Sequence, residues 1–184
     1  MLFLVSIVLG VIVGLSTHGS LENLANLRFR WPWLVVAALV VREAAVLTPL
    51  RTVDGIQYVY AAALASLVAW TLWNVKRVRA IWLVAIGSAL NLVVIAANGA
   101  RMPVAPELAG SLMQTGHLGQ YAMMGSSTHL NWLADWIALR WGPPEAYSPG
   151  DLVVALGIAV VIALAMRSRT GLPETGPRIV SDPP

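Results

Sequence analysis

Residues 76–106 read KRVRAIWLVAIGSALNLVVIAANGARMPVAP, and three features of this stretch decide the fold. It opens on a basic run, Lys76-Arg77-Val78-Arg79. A mostly apolar run over 80–98 follows, close to the ~20 residues a helix needs to cross a bilayer. Asn98-Gly99 then has the character of a helix C-terminus. Gly tolerates the left-handed conformation, and Pro103 forbids continuation soon after. Arg101 complements the exposed carbonyls of that end and reaches phosphate headgroups.

The rest of the chain repeats this grammar. Of 184 residues, 58% are hydrophobic and 11% charged, with a mean hydropathy of +0.72. A soluble domain has about 25% charged and 45–50% apolar residues, so the composition points to a membrane protein. Five segments are predicted to span the bilayer, near 1–17, 31–50, 56–75, 80–98 and 150–167. The first has neither a basic n-region nor an Ala-x-Ala site, and is expected to be a retained helix rather than a signal peptide. Arg28, Arg30, Lys76, Arg77, Arg79, Arg167, Arg169 and Arg178 fall on one side of these spans, and Arg51, Arg101 and Arg140 on the other. Positive charge collects in the cytoplasm, so the N-terminus is expected outside and the C-terminus inside. A net charge of +3 distributed in this way describes cytoplasmic loops, not a nucleic-acid groove. The absence of cysteine excludes disulfides and thiolate chemistry.

Residues 19–30, GSLENLANLRFR, space Leu21, Leu24 and Leu27 by three, which suggests a short helix in the inner headgroup layer. Trp31, Trp33 and Trp82 take inner-boundary positions. The polar tail 168–184, with Pro173, Pro177, Pro183 and Pro184, is expected to be a disordered cytoplasmic segment. Its LPETG (172–176) is spelled like a sortase signal, but no apolar helix follows it. A chance match is the simpler reading.

Arg42 and Glu43 fall inside the second span, and charges at depth face a bundle interior or water. In the fourth span Ser88, Asn91 and Asn98 recur on one stripe, and Gln57 enters from the outer end of the third. A polar cluster of Arg42, Glu43, Gln57, Asn91 and Asn98 is therefore expected in the outer half of the bundle. It serves either as a structural network or as a ligand or ion pathway.

The outer segment 99–149 is too long for a plain connector. Within 128–141, THLNWLADWIALRW, Leu130, Leu133, Ile137 and Trp141 share one helical face, which predicts an interfacial helix. Before the last span, Ser148 is the expected N-cap, with Pro149 at N1 and Asp151 at N3. The outer residues with chemical potential are Arg101, His117, His129, Asp135 and Glu145. No HxxxH or HExxH pairing, phosphate loop or nucleophile elbow accompanies them, so no metal, cofactor or catalytic residue is assigned.

Taken together, GSLENLANLRFRWPWL (19–34), NGARMPV (98–104), SSTHLNWLADWIAL (126–139) and YSPGDLVVALG (147–157) resemble the bacterial membrane protein family catalogued as domain of unknown function 5317. The resemblance covers about residues 1–167. It implies the same topology and no particular activity. The expectation is an all-α membrane protein, a five-helix transmembrane bundle with a helical extracytoplasmic segment, in the bacterial cell membrane. Its partners are the lipid bilayer and either another membrane protein or a second copy, with no nucleic acid. A non-enzymatic accessory, assembly, or lipid- or peptide-binding subunit is the leading function. A small permease built on Arg42, Glu43 and Asn91 is the alternative, and a membrane-interface enzyme using His117, His129 and Asp135 a third.

Overall fold

The computed structural model describes residues 1–47, 53–110, 117–139 and 145–167, with the side chains of 42–47 and 117–118 left out. Within them are six α-helices: α1 (Leu2–Ser16), α2 (Leu21–Ala25), α3 (Trp33–Leu47), α4 (Ile56–Asn74), α5 (Ile81–Ala97) and α6 (Pro149–Arg167). The chain is mostly helical. Of the described helices, α4 and α6 are long and apolar enough to cross a membrane by length and composition, while α1 and α5 are apolar but shorter. The predicted tail 168–184 lies outside the described residues.

The five larger helices stand side by side in the order α3, α4, α5, α6, α1. Hydrogen bonds fix their directions. The Leu2 amide donates to Tyr147 Oη, 3.1 Å away and just before α6, so α1 and α6 start at the same pole. The Ser20 amide and Asn23 Nδ2 both donate to Met166 O at the other end of α6. There too the Arg30 amide donates to Asn74 Oδ1 (2.7 Å), tying the start of α3 to the end of α4. Val78, Ile81 and Val161 close this pole over Leu27, Phe29 and Trp70.

Backbones approach closely along α6. A Cβ on Gly87 of α5 would stand 2.6 Å from Gly150 O and 2.7 Å from Val154 N. One on Gly157 would meet Val84 N at 2.8 Å, and one on Gly10 of α1 would meet Ala159 O at the same distance. Small residues at these crossings let dispersion contacts accumulate between main chains.

The opposite pole carries a cap, and here the sequence expectation is corrected. The described residues of the segment form no α-helix but five short strands, β1 (Met102–Val104), β2 (His117–Leu118), β3 (Tyr121–Met123), β4 (Ile137–Leu139) and β5 (Glu145–Tyr147). β1 pairs parallel with β3, β2 pairs antiparallel with β3, and β4 pairs antiparallel with β5. In place of the interfacial helix expected over 128–141, the described part, 128–139, has one 3-10 turn, Asn131–Leu133, then a bridge from Asp135 to Val104, while 140–141 lie outside the described residues. Leu130 at φ 57° is left-handed and cannot sit inside an α-helix. Thr128 Oγ1 and Asn131 Nδ2 also donate to Gly125 O, drawing the local polar groups into a turn. Met102, Leu133 and Ala134 bury against Val94, seating the cap on α5.

Candidate functional site

The polar residues of the capped pole converge where α5 meets the start of α6. Asn91 is buried in α5 and faces the first turn of α6. Its Nδ2 donates to Asp151 Oδ1 (2.8 Å), and its Oδ1 accepts from Ser148 Oγ (2.8 Å). Ser148 and Asp151 complete a reciprocal cap: the Asp151 amide donates to Ser148 Oγ and the Ser148 amide to Asp151 Oδ2, both at 3.0 Å. The residue types follow from the geometry. A helix start leaves amides without partners, and an oxygen at N-cap and another at N3 take two of them. Gly150 fits beneath Asn91 because a Cβ there would collide with the amide oxygen.

Asp135 lies at the rim of this network and is only 7% exposed. Its backbone is held on both sides, the amide donating to Pro103 O (3.0 Å) and the carbonyl accepting from the Ala105 amide (2.9 Å). Its carboxyl oxygen Oδ1 is buried without a hydrogen-bond partner among the described residues. Burial, and secondarily the charge of Asp151, push its pKa up to about 8.

The other site residues go elsewhere. Asn98 imitates a strand partner for the loop before the 3-10 turn: it accepts from the His129 amide (2.7 Å) and donates to His129 O (2.9 Å). Gln57 turns back on its own helix start, accepting from the Gly55 amide at 3.1 Å. Of the five residues expected to form one polar cluster, three have described side chains. Asn91, Asn98 and Gln57 bond in three separate places, while the side chains of Arg42 and Glu43 on α3 lie outside the described residues, as does that of His117 on β2. His129 makes its described bonds through its backbone, and Asp135 has no bond to it. Arg101 Nε is buried without a partner among the described residues.

Tyr147 is a residue the sequence reading passed over. Its hydroxyl donates to Glu145 and accepts from the Leu2 amide. The bond from Tyr147, followed by that from the Met1 amine, lowers the Glu145 pKa. Burial and the same Glu145 contact raise that of Tyr147. The aromatic at an apolar boundary was the available signal.

The family profile of domain of unknown function 5317, described as a family of unknown function, matches residues 26–163. The chain belongs to this family. No curated protein and no solved structure matches it. The segment shared with family 5317 contains α3, α4, α5, the cap and most of α6, and hence the entire Asn91–Ser148–Asp151 network and Asp135. Helix α1 lies before it. No group of three or more His, Asp or Glu side chains able to hold a metal occurs among the described residues.

Proposed function

We propose that this member of family 5317 is a non-enzymatic integral protein of the bacterial cell membrane. It crosses the bilayer with α1, α3, α4, α5 and α6, its cap outside and its C-terminal end in the cytoplasm. The observation that carries this reading is the separation of charge from apolar surface along the row. Arg28, Arg30, Lys76, Arg77, Arg79 and Arg167 gather at the pole opposite the cap. Between the poles the helices expose Leu4, Ile12, Val36, Val40, Leu72 and Val93. Apolar surface on this scale is a liability in water and is solvated in lipid. The basic pole also bears aromatic anchors: Arg30 lies over the rings of Trp31 and Trp73, 5.4 and 5.3 Å from their centroids. α1 and α5, with 15 and 17 residues, are ~22 and ~25 Å long at ~1.5 Å per residue. Snorkelling flanks and local thinning accommodate such lengths.

An accessory or assembly role, or capture of a lipid or peptide at the cap, agrees with the use made of the described polar groups. Asn91, Asn98, Ser148 and Asp151 bond to one another or to backbone, holding the cap to the helices.

The cysteine-free chain makes the orientation directly testable. Glu107→Cys in the cap should react with a membrane-impermeant maleimide on intact cells, and Lys76→Cys only after permeabilisation. Reaction of both without permeabilisation, or the reverse pattern, refutes the topology. Liposomes holding the purified protein should be no leakier than empty ones. Solute flux that a folded Arg42→Met variant loses would replace this role by that of a small permease.

A further inference from the structure

Asp135 stands at the seam between the cap and the helix row. Immediately before it, Leu133 and Ala134 are buried with Met102 against Val94 of α5. Asp151, whose charge acts on Asp135, has both carboxylate oxygens engaged, Oδ1 by Asn91 and Oδ2 by the Ser148 amide. Asp135 itself is buried with Oδ1 unpartnered, and among the described residues no Lys, Arg or His pairs with it. The backbone of Asp135 lies along Pro103, Val104 and Ala105, none of them titratable, with the charged Arg101 just before this strand, and among the described residues Asp151 of α6 is the charged group whose influence raises its pKa. An ionised Asp135 would be an uncompensated buried charge beside a second of the same sign, an arrangement that proteins avoid by neutralising the group. A proton achieves this without needing a cavity.

We propose that Asp135 is a proton-binding site that controls the seating of the cap: the closed seam holds a proton on the carboxyl, and its loss opens the seam. The O–H bond breaks with the electron pair left on the carboxylate, and the proton passes to solvent as the group becomes hydrated. The closed form, with its pKa near 8, holds the proton at neutral pH. The opened form has the ordinary carboxylate value of 3.8. Between these values the closed form binds more protons, so rising pH favours opening by up to tenfold per unit, and above about pH 8 the effect levels off. Nothing in this depends on whether the helices cross lipid, so it stands or falls separately from the proposed function.

The test uses the full chain in detergent micelles. A cysteine replacing Ala134, which is 0% exposed, reports opening by its labelling rate. The rate at Ser126→Cys, an exposed position, corrects for ionisation of the thiol. The corrected rate should rise by up to tenfold per unit from pH 5 to 8, and stay at its low value through pH 9 once Asp135→Asn is added. Asp151→Asn, by removing the neighbouring negative charge, should lower the Asp135 pKa, so that the rise levels off at lower pH. A corrected rate that is flat in the parent chain, or that rises equally with Asp135→Asn, overturns the proposal. If Ala134→Cys does not fold, thermal unfolding decides. The Tm of the native chain should fall from pH 5 to 8 more steeply than that of Asp135→Asn, and parallel curves refute the site.

Discussion

Asn91 is the side chain on which the join between α5 and α6 turns. It donates to Asp151 and accepts from Ser148, so its truncation strands a buried hydroxyl and one side of a carboxylate. Each buried polar group left unpaired costs about 1–3 kcal/mol. Asn91→Ala should therefore lower the thermal midpoint clearly, whereas Ser66→Ala, which removes an exposed bond to Ala62 O, should leave it nearly unchanged. A second residue-scale test concerns Tyr147. Its bond is the largest influence holding the Glu145 pKa down, so Tyr147→Phe should return that carboxyl toward its ordinary range, read by NMR titration. An unmoved Glu145 would show that the bond is not made in solution. Legibility at this scale depended on range. Ser148-Pro149-Gly150-Asp151 spells a helix start within four residues, because capping is a local demand. Asn91 was visible as polar in an apolar helix, but its partners are 57 and 60 residues away, and no local pattern names them.

Between elements, glycine sets the distance. Gly87 and Gly157 put α5 and α6 in main-chain contact, so a side chain at either must push two backbones apart. Overpacking a tight contact costs about 1–3 kcal/mol, sometimes more. Gly87→Leu should thus destabilise the protein in a thermal melt, while Gly125→Ala, with open space around the added carbon, should be close to neutral. Equal effects would mean that the helices are not packed at these glycines. The pairing of α1 with α6 had a signal in the sequence too, Gly10-Val-Ile-Val-Gly14, whose two glycines are both buried on α6. Reading α1 only for hydropathy missed it. The apolar runs marked the large helices well because uninterrupted hydrophobicity admits few other structures. The cap failed for the opposite reason. Leu130, Leu133 and Ile137 fit a helical period over a short window, yet Leu133, Ala134 and Asp135 are buried consecutively. No amphipathic helix does that, and the parallel pairing that produces it joins Val104 to Asp135 across the chain.

For the molecule as a whole, the alternating directions of the helices leave a basic pole and a capped pole. The two answer to different conditions. The basic pole is built on Arg30 beside Trp31 and Trp73 and on the apolar contacts of Val78, Ile81 and Val161. The capped pole holds Asp135. Mild alkali should accordingly raise protease sensitivity in the cap before it touches the 76–79 turn, seen as early cleavage within 99–148 on a gel. Simultaneous cleavage at both poles would argue for one cooperative opening instead. The row of helices has a geometric corollary. The helices at its two ends, α1 and α3, each pack extensively against one neighbour and turn their other sides toward whatever surrounds the protein.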